Sequence, residues 1–338
     1  MKNRCHNLFL GVLLFALGAW PLVAPAGPYT GLVVFGDSLA DSGNNAFVFD
    51  NVIGPPAPPG TLRTPVPISS PGFIPTFPYA SGRYSNGPVW TEQLASRLGL
   101  AAAPSLAGGS NFAFGGATTG PSNSPFPFSL LDQVSMYLST TGGVAPSSNL
   151  YVVEGGGNDA RAALASGDPL LIGSLVGAYA SNIFTILTKL EVDGAEHILL
   201  ADVPDIGKTP AALAQGPLIS AFATGVATAF NQALATVLAS LPETTRDDIS
   251  LLDLFGLQDQ LFADPGAFGF SDATSACAFS AACIADPTNT FYWDGIHPTT
   301  LGHSVIAEAA LAAIPVPGTA LLLALGLLML AISRRVSA

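Results

Sequence analysis

The sequence predicts a doubly wound α/β fold, in which helices cover both faces of a parallel sheet. Short apolar runs recur along the chain with the composition of buried strands, and longer segments with helical character separate them. The 338 residues, 49% of them hydrophobic, are enough for a large core. In such sheets ligands bind beyond the carboxyl ends of the strands, so functional residues are expected there.

Four apolar runs are the predicted strands: LVVFG at 32–36, LYVVEGG at 150–156, HILLADV at 197–203 and ISLLDLF at 249–255. The predicted helices are Val89–Leu98, Leu130–Ser139, Pro169–Leu190, Pro217–Leu241 and Leu301–Ile314. Two stretches, 54–78 and 264–292, are predicted loops; the prolines of the first exclude helix and central strand. Neither stretch has the composition of a linker, so one domain spanning 27–313 is expected.

Residues 1–26 have the composition of a secretory signal peptide. Cationic residues precede an apolar stretch from Leu8 to Trp20, and VAPAG at 23–27 offers small residues for cleavage after Ala26. The alternative is an uncleaved membrane anchor, which the short apolar stretch disfavours because a span needs about 20 residues. The chain is therefore expected to be exported.

Residues 314–338 form an apolar C-terminal segment. A Pro-Val-Pro start leads into an apolar run from Ala320 to Ile332, and Arg334 and Arg335 follow. The alternative is a last core helix, which is disfavoured because the run has no polar face. As a membrane segment it is of marginal length, with its arginines on the cytoplasmic side.

The part of the chain between these ends is strongly acidic. Four of the eleven Lys and Arg residues lie in the terminal segments, whereas all 23 Asp and Glu residues lie between those segments. The body of the chain therefore has seven basic and 23 acidic residues, a net charge of −16. Such a body repels nucleic acid and anionic membranes. Nucleic-acid partners are therefore excluded, and membrane contact is expected through the C-terminal segment.

The cysteines indicate one disulfide. Cys5 lies in the predicted signal peptide, which leaves Cys277 and Cys283 as an even pair in an exported chain. The alternative is a metal site, but His297 is the sole further ligand nearby. A short disulfide loop is expected, and no metal.

Ser38 follows the first predicted strand, in the sequence GDSLADSGNN. A serine in this place either caps the next helix or acts as a nucleophile. The segment alone does not decide between the two. A nucleophilic serine needs a base, and a further group that orients the base.

Three histidines lie outside the predicted signal peptide. His197 opens a strand at the opposite edge of the sheet, and His303 falls in the last predicted helix, where it packs or faces solvent. His297 lies outside regular structure in FYWDGIHPTT, three residues after Asp294. A turn there would let the carboxylate hold one ring nitrogen while the other faces Ser38; the alternative is an Asp-Gly turn with an incidental histidine.

Two glycine-containing segments supply candidate donors for an oxyanion. NFAFGGATT at 111–119 offers the backbone N–H of Gly116, and VVEGGGND at 152–159 places the Asn158 amide at the end of a strand. The alternatives are a glycine turn and an ordinary Asn-Asp turn. A phosphate-binding interpretation of Gly155–Gly157 lacks the spacing of a dinucleotide or P-loop motif.

Four segments, FGDSLADSGNN, NFAFGGATT, GGND and DGIHPT, resemble in order and placement the four blocks of the SGNH, or GDSL-type, esterase/lipase family. Residues 36–39 match the tetrapeptide that names the family. The resemblance extends over about residues 30–313, which is essentially the whole body of the chain.

The resemblance implies a flavodoxin-like three-layer α/β/α sandwich with a central parallel sheet. It implies that Ser38 is the nucleophile, His297 the general base and Asp294 the acid that orients His297. Gly116 and Asn158, together with the backbone N–H of Ser38, would be the oxyanion donors. The implied activity is hydrolysis of carboxylic esters through an acyl-serine, without a metal or organic cofactor.

The C-terminal segment is similar to the PEP-CTERM sorting signal of exported bacterial proteins. Val316 stands where glutamate is usual, and three residues follow Arg335. The similarity implies transient anchoring in the membrane, contact with a sorting machinery, and a periplasmic, cell-surface or extracellular location.

The substrate stays open at this stage: a lipid, a small ester or an acylated glycan fits the resemblance. One alternative is a polysaccharide O-acetylesterase or an acyltransferase of the extracellular matrix. A further alternative is a surface or matrix protein that binds without catalysis.

Overall fold

A parallel sheet of four strands forms the centre of the fold. Its strands lie side by side in the order β1 (Gly31–Phe35), β2 (Asn149–Val153), β3 (Ile198–Ala201) and β4 (Ile249–Leu252). Each begins within one residue of a predicted apolar run, so the four strand predictions are confirmed. The strands end one to three residues before the predicted runs do.

The computed structural model describes residues 29–53, 79–80, 82–121 and 126–315. The predicted signal peptide at 1–26, the predicted loop at 54–78 and the C-terminal segment beyond Pro315 lie outside the described residues. Tyr29–Pro315 is one compact unit. The limits predicted for the domain, 27–313, stay a prediction.

A further stretch, 110–114, runs alongside the free edge of β1. The N–H of Val34 donates to the carbonyl of Ser110 at 3.0 Å, and the N–H of Phe112 donates back to Val34 at 2.7 Å. Numbered along the chain, the spatial order is therefore 2-1-3-4-5, the flavodoxin-like order. The predicted fold is confirmed, and the order reverses at β1, which makes the crevice beyond its carboxyl end the expected ligand site.

The helices of the described part, with their limits, are α1 (Asn44–Ile53), α2 (Trp90–Arg97), α3 (Leu130–Thr140), α4 (Gly157–Ser166), α5 (Pro169–Val192), α6 (Pro210–Leu213), α7 (Pro217–Ser240), α8 (Glu243–Asp247), α9 (Leu254–Ala263), α10 (Ala281–Ala285) and α11 (Thr300–Ala313). The five predicted helices correspond to α2, α3, α5, α7 and α11, within two residues at each end. Side-chain caps fix several starts: Ser129 accepts from the N–H of Asp132, and Asp168 caps α5 before its first-turn proline.

The sheet is covered on both faces. Alternate strand residues such as Val33, Phe35 and Tyr151 point to the side where α3, α4, α5 and α7 complete the main core. The residues between them, such as Val34 and Val152, point to the opposite side, where α11 packs on β4 and on α2. The result is three layers.

The prediction of a continuous loop at 264–292 is wrong. Strands β5 (Asp272–Ala276) and β6 (Thr290–Tyr292) pair there in parallel, and α10 lies between them. Each of these elements has five residues or fewer, too short to show a period in sequence, and they depend on tertiary contacts. Helices α1, α4, α6, α8 and α9 are also missing from the sequence prediction, α4 because its glycine-rich start indicates a turn.

Helices α5 and α7 are, in the described part, the two long and apolar enough to cross a membrane. Helices with the same length and composition also cover the sheets of soluble proteins, and one side of each belongs to the main core. In the most apolar 18-residue window of each helix, 22% of α5 and 28% of α7 is buried. Most residues in these two windows are therefore at least partly exposed.

Candidate active site

A chain of hydrogen bonds joins Ser38, His297 and Asp294. Ser38 lies half-buried in the turn after β1, and its Oγ is 2.8 Å from Nε2 of His297. Nδ1 of His297 is 2.7 Å from Oδ2 of Asp294. The fold thus brings Ser38 within hydrogen-bond distance of His297, which is 259 positions away in the sequence.

A tight turn fixes the carboxylate of Asp294. Its Oδ1 accepts hydrogen bonds of 2.7 Å from the backbone N–H groups of Ile296 and His297. The Tyr79 hydroxyl donates to Oδ2, also at 2.7 Å. Burial raises the pKa of Asp294, but the neighbouring His297 and the hydrogen bonds outweigh burial and lower it. The carboxylate is therefore held in its ionised form.

Sequence reasoning missed Tyr79, which lies at the end of the proline-rich stretch. Its ring is buried with Trp293 and Cys277, and it meets Trp293 edge-on with 6.2 Å between centroids. Cys277 and Cys283 are joined by a disulfide. The disulfide segment thus packs behind the turn that carries Asp294.

Buried polar side chains hold the turn that carries Ser38. Gln133 of α3 accepts from the N–H of Gly36 at 2.8 Å and donates to its carbonyl at 2.9 Å. The Asp37 carboxylate accepts from the N–H of Leu39 at 3.0 Å. Because both ends of the turn are tied, the Ser38 side chain has a defined direction.

The segment ADSGNN also holds the glycine loop that contains Gly116. Asp41 accepts from the N–H of Gly115 at 3.0 Å, and the Asn45 amide donates to the Gly115 carbonyl at 3.0 Å. A Cβ at Gly115 would lie 2.3 Å from the ring of Tyr84, so no side chain fits there. Gly116 has φ +83°, a conformation that favours glycine.

The predicted oxyanion donors lie at the carboxyl ends of neighbouring strands. Within the described part of the chain, the N–H groups of Ser38 and Gly116 donate to no protein acceptor. The Asn158 amide donates to Oδ2 of Asp37 at 3.1 Å and to the carbonyl of Ala117 at 2.9 Å. An oxyanion bound by Asn158 would have to replace one of these two acceptors.

A pocket with an empty volume of about 760 Å³, open space at its mouth included, begins at Ser38. Its polar lining residues are Asp37, Ser38, Asn158 and His297 of the candidate site together with Arg161, Thr209, Gln258 and Tyr292. Its walls are mostly aliphatic and aromatic, and include Ile206, Leu254, Leu257, Leu261, Phe291 and Ile296. Such a pocket suits an apolar group attached to a reacting carbon beside Ser38.

The other two histidines take no part in this arrangement. His303 is fully buried in α11, and burial lowers its pKa to about 3, so it is neutral. His197 precedes β3 at the opposite edge of the sheet and packs edge-on against Tyr29. Among the described residues, no three His, Cys, Asp or Glu side chains gather in a way that could hold a metal ion.

Several buried carboxyl groups surround the site, and burial raises their pKa values. The pKa of Asp37 is raised to about 6 and that of Glu154, which accepts from the N–H of Asp37, is raised well above its usual range. The pKa values of Asp41 and Asp202 are raised to about 6 and about 7, and that of Asp159 is also raised. These groups bind protons more tightly in the folded chain than in the unfolded chain.

The melting temperature is expected to fall by several degrees between pH 5 and pH 8, because raised carboxyl pKa values favour folding in acid and lose this effect as pH rises. His303 acts in the opposite sense but is outnumbered, and the lowered pKa of Asp294 lies below this pH range. One pKa unit is about 1.4 kcal/mol, and 1 kcal/mol is roughly 2–4 °C. Differential scanning fluorimetry across this range measures the slope.

The Glu154→Gln variant should flatten that slope, because the amide keeps an acceptor for the N–H of Asp37 and does not ionise. Glu308→Gln is the matched control, since Glu308 is exposed. A melting temperature that rises from pH 5 to pH 8, or equal slopes for the two variants, would contradict the assignment.

The fold and this chain of serine, histidine and aspartate define a serine hydrolase of the α/β class. The chain belongs to the family of GDSL-like lipases and acylhydrolases, whose model matches residues 32–310. The family resemblance drawn from four short segments is thereby confirmed. The comparisons leave the PEP-CTERM similarity as a prediction.

Two curated relatives show how far the similarity extends. Esterase EstA of Pseudomonas aeruginosa is 27% identical over 352 residues, which cover 91% of this chain and 50% of EstA. Phosphatidylcholine-sterol acyltransferase of Aeromonas hydrophila is 26% identical over 339 residues, covering 83% of this chain and 89% of that one. The chain thus spans half of the first relative and most of the second.

Among solved structures, a catalytic mutant of Axe2, an acetylxylan esterase from Geobacillus stearothermophilus, is similar to this chain. The identity is 12%, the TM-score is 0.40, and the match covers 85% of this chain and 94% of that one. A similarity at this level carries no argument about the substrate.

Proposed function

We propose that this chain is an exported serine esterase that hydrolyses carboxylic esters through an acyl-serine intermediate. The observation that carries the proposal is the hydrogen-bonded series from Ser38 through His297 to Asp294 at the end of an apolar pocket. A serine is a weak nucleophile unless a base lies within hydrogen-bond reach and a third group orients that base. All three conditions are met here.

In the first half-reaction, Oγ of Ser38 attacks the ester carbonyl carbon and Nε2 of His297 takes its proton. Asp294 stabilises the imidazolium that forms. The tetrahedral intermediate collapses, the C–O bond to the alcohol breaks, and His297 returns the proton to the leaving alcohol. The acyl group stays on Ser38.

In the second half-reaction, His297 removes a proton from water, which attacks the acyl-serine carbonyl. The ester bond to Ser38 breaks, the carboxylic acid leaves, and Ser38 regains its proton. An alcohol in place of the water would give transfer instead of hydrolysis. The name of the Aeromonas relative is that of such a transferase.

The developing negative charge on the carbonyl oxygen needs preorganised donors. The N–H groups of Ser38 and Gly116, which donate to no acceptor in the described part of the chain, are suited to this. We assign Asn158 as the third donor, and Asp37 holds its amide beside the pocket until an oxyanion replaces one acceptor. The acyl chain would lie along the apolar wall.

Export and anchoring belong to the same proposal. The signal-like composition of residues 1–26 supports export, and the disulfide between Cys277 and Cys283 supports an oxidising compartment. The apolar segment 314–338, with its terminal arginines, supports transient anchoring by a sorting machinery before transfer to the surface or matrix.

The purified protein is expected to hydrolyse p-nitrophenyl esters, with kcat/KM rising at least tenfold from acetyl to octanoyl, since each buried methylene contributes about 0.8 kcal/mol. Release of p-nitrophenol measures the rates, and acetate release from acetylated xylan tests the glycan substrate in the same series. Protein pretreated with a fluorophosphonate is the control.

A preference for acetyl esters together with rapid acetate release from xylan would replace the apolar substrate with an acetylated glycan. No hydrolysis of any ester and no fluorophosphonate labelling would refute the esterase and favour a binding protein.

A further inference from the structure

The first turns of α5 and α7 expose five large apolar side chains. They are Leu170, Leu171, Leu218, Ile219 and Phe222, with between 37% and 85% of their surface accessible. We call this set the apolar tip. Exposed leucines are common singly, whereas five large apolar side chains in the first turns of two helices that pack on each other indicate an interaction surface.

The apolar tip stands at the same edge of the sheet as Ser38. The Tyr179 ring touches Gly156 at the end of β2, and the Asn182 amide donates to the Thr119 hydroxyl in the loop after Gly116. These contacts place the middle of α5 level with the site. The ten residues of α5 before Tyr179 extend about 15 Å further, at 1.5 Å per residue.

Helix α7 has the same relation to the pocket. The Ser220 hydroxyl donates to the carbonyl of Gly207 at 2.8 Å, next to Ile206 in the pocket wall. The first turn of α7 therefore packs against the segment that contributes Ile206 to the pocket wall. The two helices together carry their apolar side chains past the edge from which the substrate reaches Ser38.

Charged residues are rare in these two helices. No Asp, Glu, Lys, Arg or His occurs in residues 169–188 or 209–242, although the body of the chain carries 30 acidic and basic residues. Charges begin at the far end of α5, with Lys189, Glu191 and Asp193. The end of α5 beside the site is thus apolar apart from Asp168, the exposed carboxylate that caps its first turn, whereas the opposite end carries several charges.

We propose that the apolar tip inserts into the surface of a zwitterionic lipid layer and brings the pocket mouth against it. This goes beyond the proposed esterase reaction and does not depend on it. The net charge of −16 opposes docking on anionic lipid, whereas phosphatidylcholine has no net charge. A protein interface buries about 800 Å² on each partner, more than the few hundred Å² that five side chains offer.

Tryptophan quenching by brominated phosphatidylcholine tests the insertion at a single site in the full chain. The Leu170→Trp variant is expected to lose at least a third of its added fluorescence on vesicles of this lipid. Val192→Trp is the matched control, because Val192 is 82% exposed and Leu170 85%, and they lie at opposite ends of α5. The fraction of its fluorescence that the brominated lipid quenches should match that of wild type.

Adding Leu218→Asp and Phe222→Asp to Leu170→Trp should at least halve the quenching, while hydrolysis of soluble p-nitrophenyl butyrate stays unchanged. The proposal fails if the lipid quenches Leu170→Trp no more than wild type, or if it quenches Val192→Trp as strongly as Leu170→Trp. A concentration-dependent blue shift of Leu170→Trp without vesicles would assign the tip to a contact between two copies of the chain. The quenching measurement needs no ester hydrolysis. A negative result therefore contradicts the lipid-surface proposal and leaves the esterase proposal untouched.

Discussion

The Ser38→Ala variant is expected to lose p-nitrophenyl ester hydrolysis by about 10⁴-fold or more in kcat, the scale seen when the nucleophile of a serine triad is removed. The Ser38 hydroxyl supplies the atom that forms the acyl bond, and no other hydroxyl is hydrogen-bonded to His297 in the described part of the chain. Alanine removes this atom and leaves the backbone N–H in place.

The fold should survive the change, because Ser38 is half-buried and the turn is held by Gln133 and Asp37. Circular dichroism and the melting temperature check this. Ser42→Ala is the matched control: it lies in the same segment, and its buried hydroxyl has no hydrogen-bond partner among the described residues. Ser42→Ala should keep the wild-type rate, and a wild-type rate in Ser38→Ala would refute the assignment.

A fluorophosphonate probe gives an independent measurement of the same residue. Wild type should be labelled once, at Ser38, and Ser38→Ala should not be labelled. Labelling of a different serine would move the nucleophile and leave the hydrolase class intact.

Strands β1, β2 and β3 could be predicted because they are buried on both faces, so each appears in the sequence as a continuous apolar run. The stretch 110–114 could not, since it pairs with β1 through few hydrogen bonds and contains Asn111 among its apolar residues. Helix α4 was hidden for a related reason. Its first residues, Gly157 and Asn158, have low helix propensity and lie at the candidate site.

The principal site residues could be predicted because each comes directly after a strand or in a recognisable turn. Gln133 and Tyr79 could not, because their importance lies in single long-range hydrogen bonds to Gly36 and Asp294. Nothing in the spacing of the chain indicates these pairings. A polar residue on the inner side of a predicted helix, as with Gln133, was the one available signal.

The Asp294→Asn variant is expected to lower kcat by about 10³–10⁴-fold while the protein stays folded. Oδ1 of Asp294 accepts from two backbone N–H groups, so the amide oxygen of asparagine must take this position. The NH₂ group then faces His297, donates to Nδ1 and forces the ring proton onto Nε2. In that tautomer His297 donates to Ser38 and cannot take its proton.

Tyr79→Phe separates this effect from a general loss of hydrogen bonding to the carboxylate. It removes the 2.7 Å donor to Oδ2 but leaves Asp294 as the acceptor for Nδ1, so the His297 tautomer is preserved. We expect a loss of about ten- to a hundredfold, because one hydrogen bond to a charged group contributes about 1.5–3 kcal/mol. Steady-state kinetics of both variants, with nitrogen chemical shifts of the His297 ring, make the comparison. Similar losses in the two variants, or a wild-type tautomer in Asp294→Asn, would show that Asp294 does not orient the base.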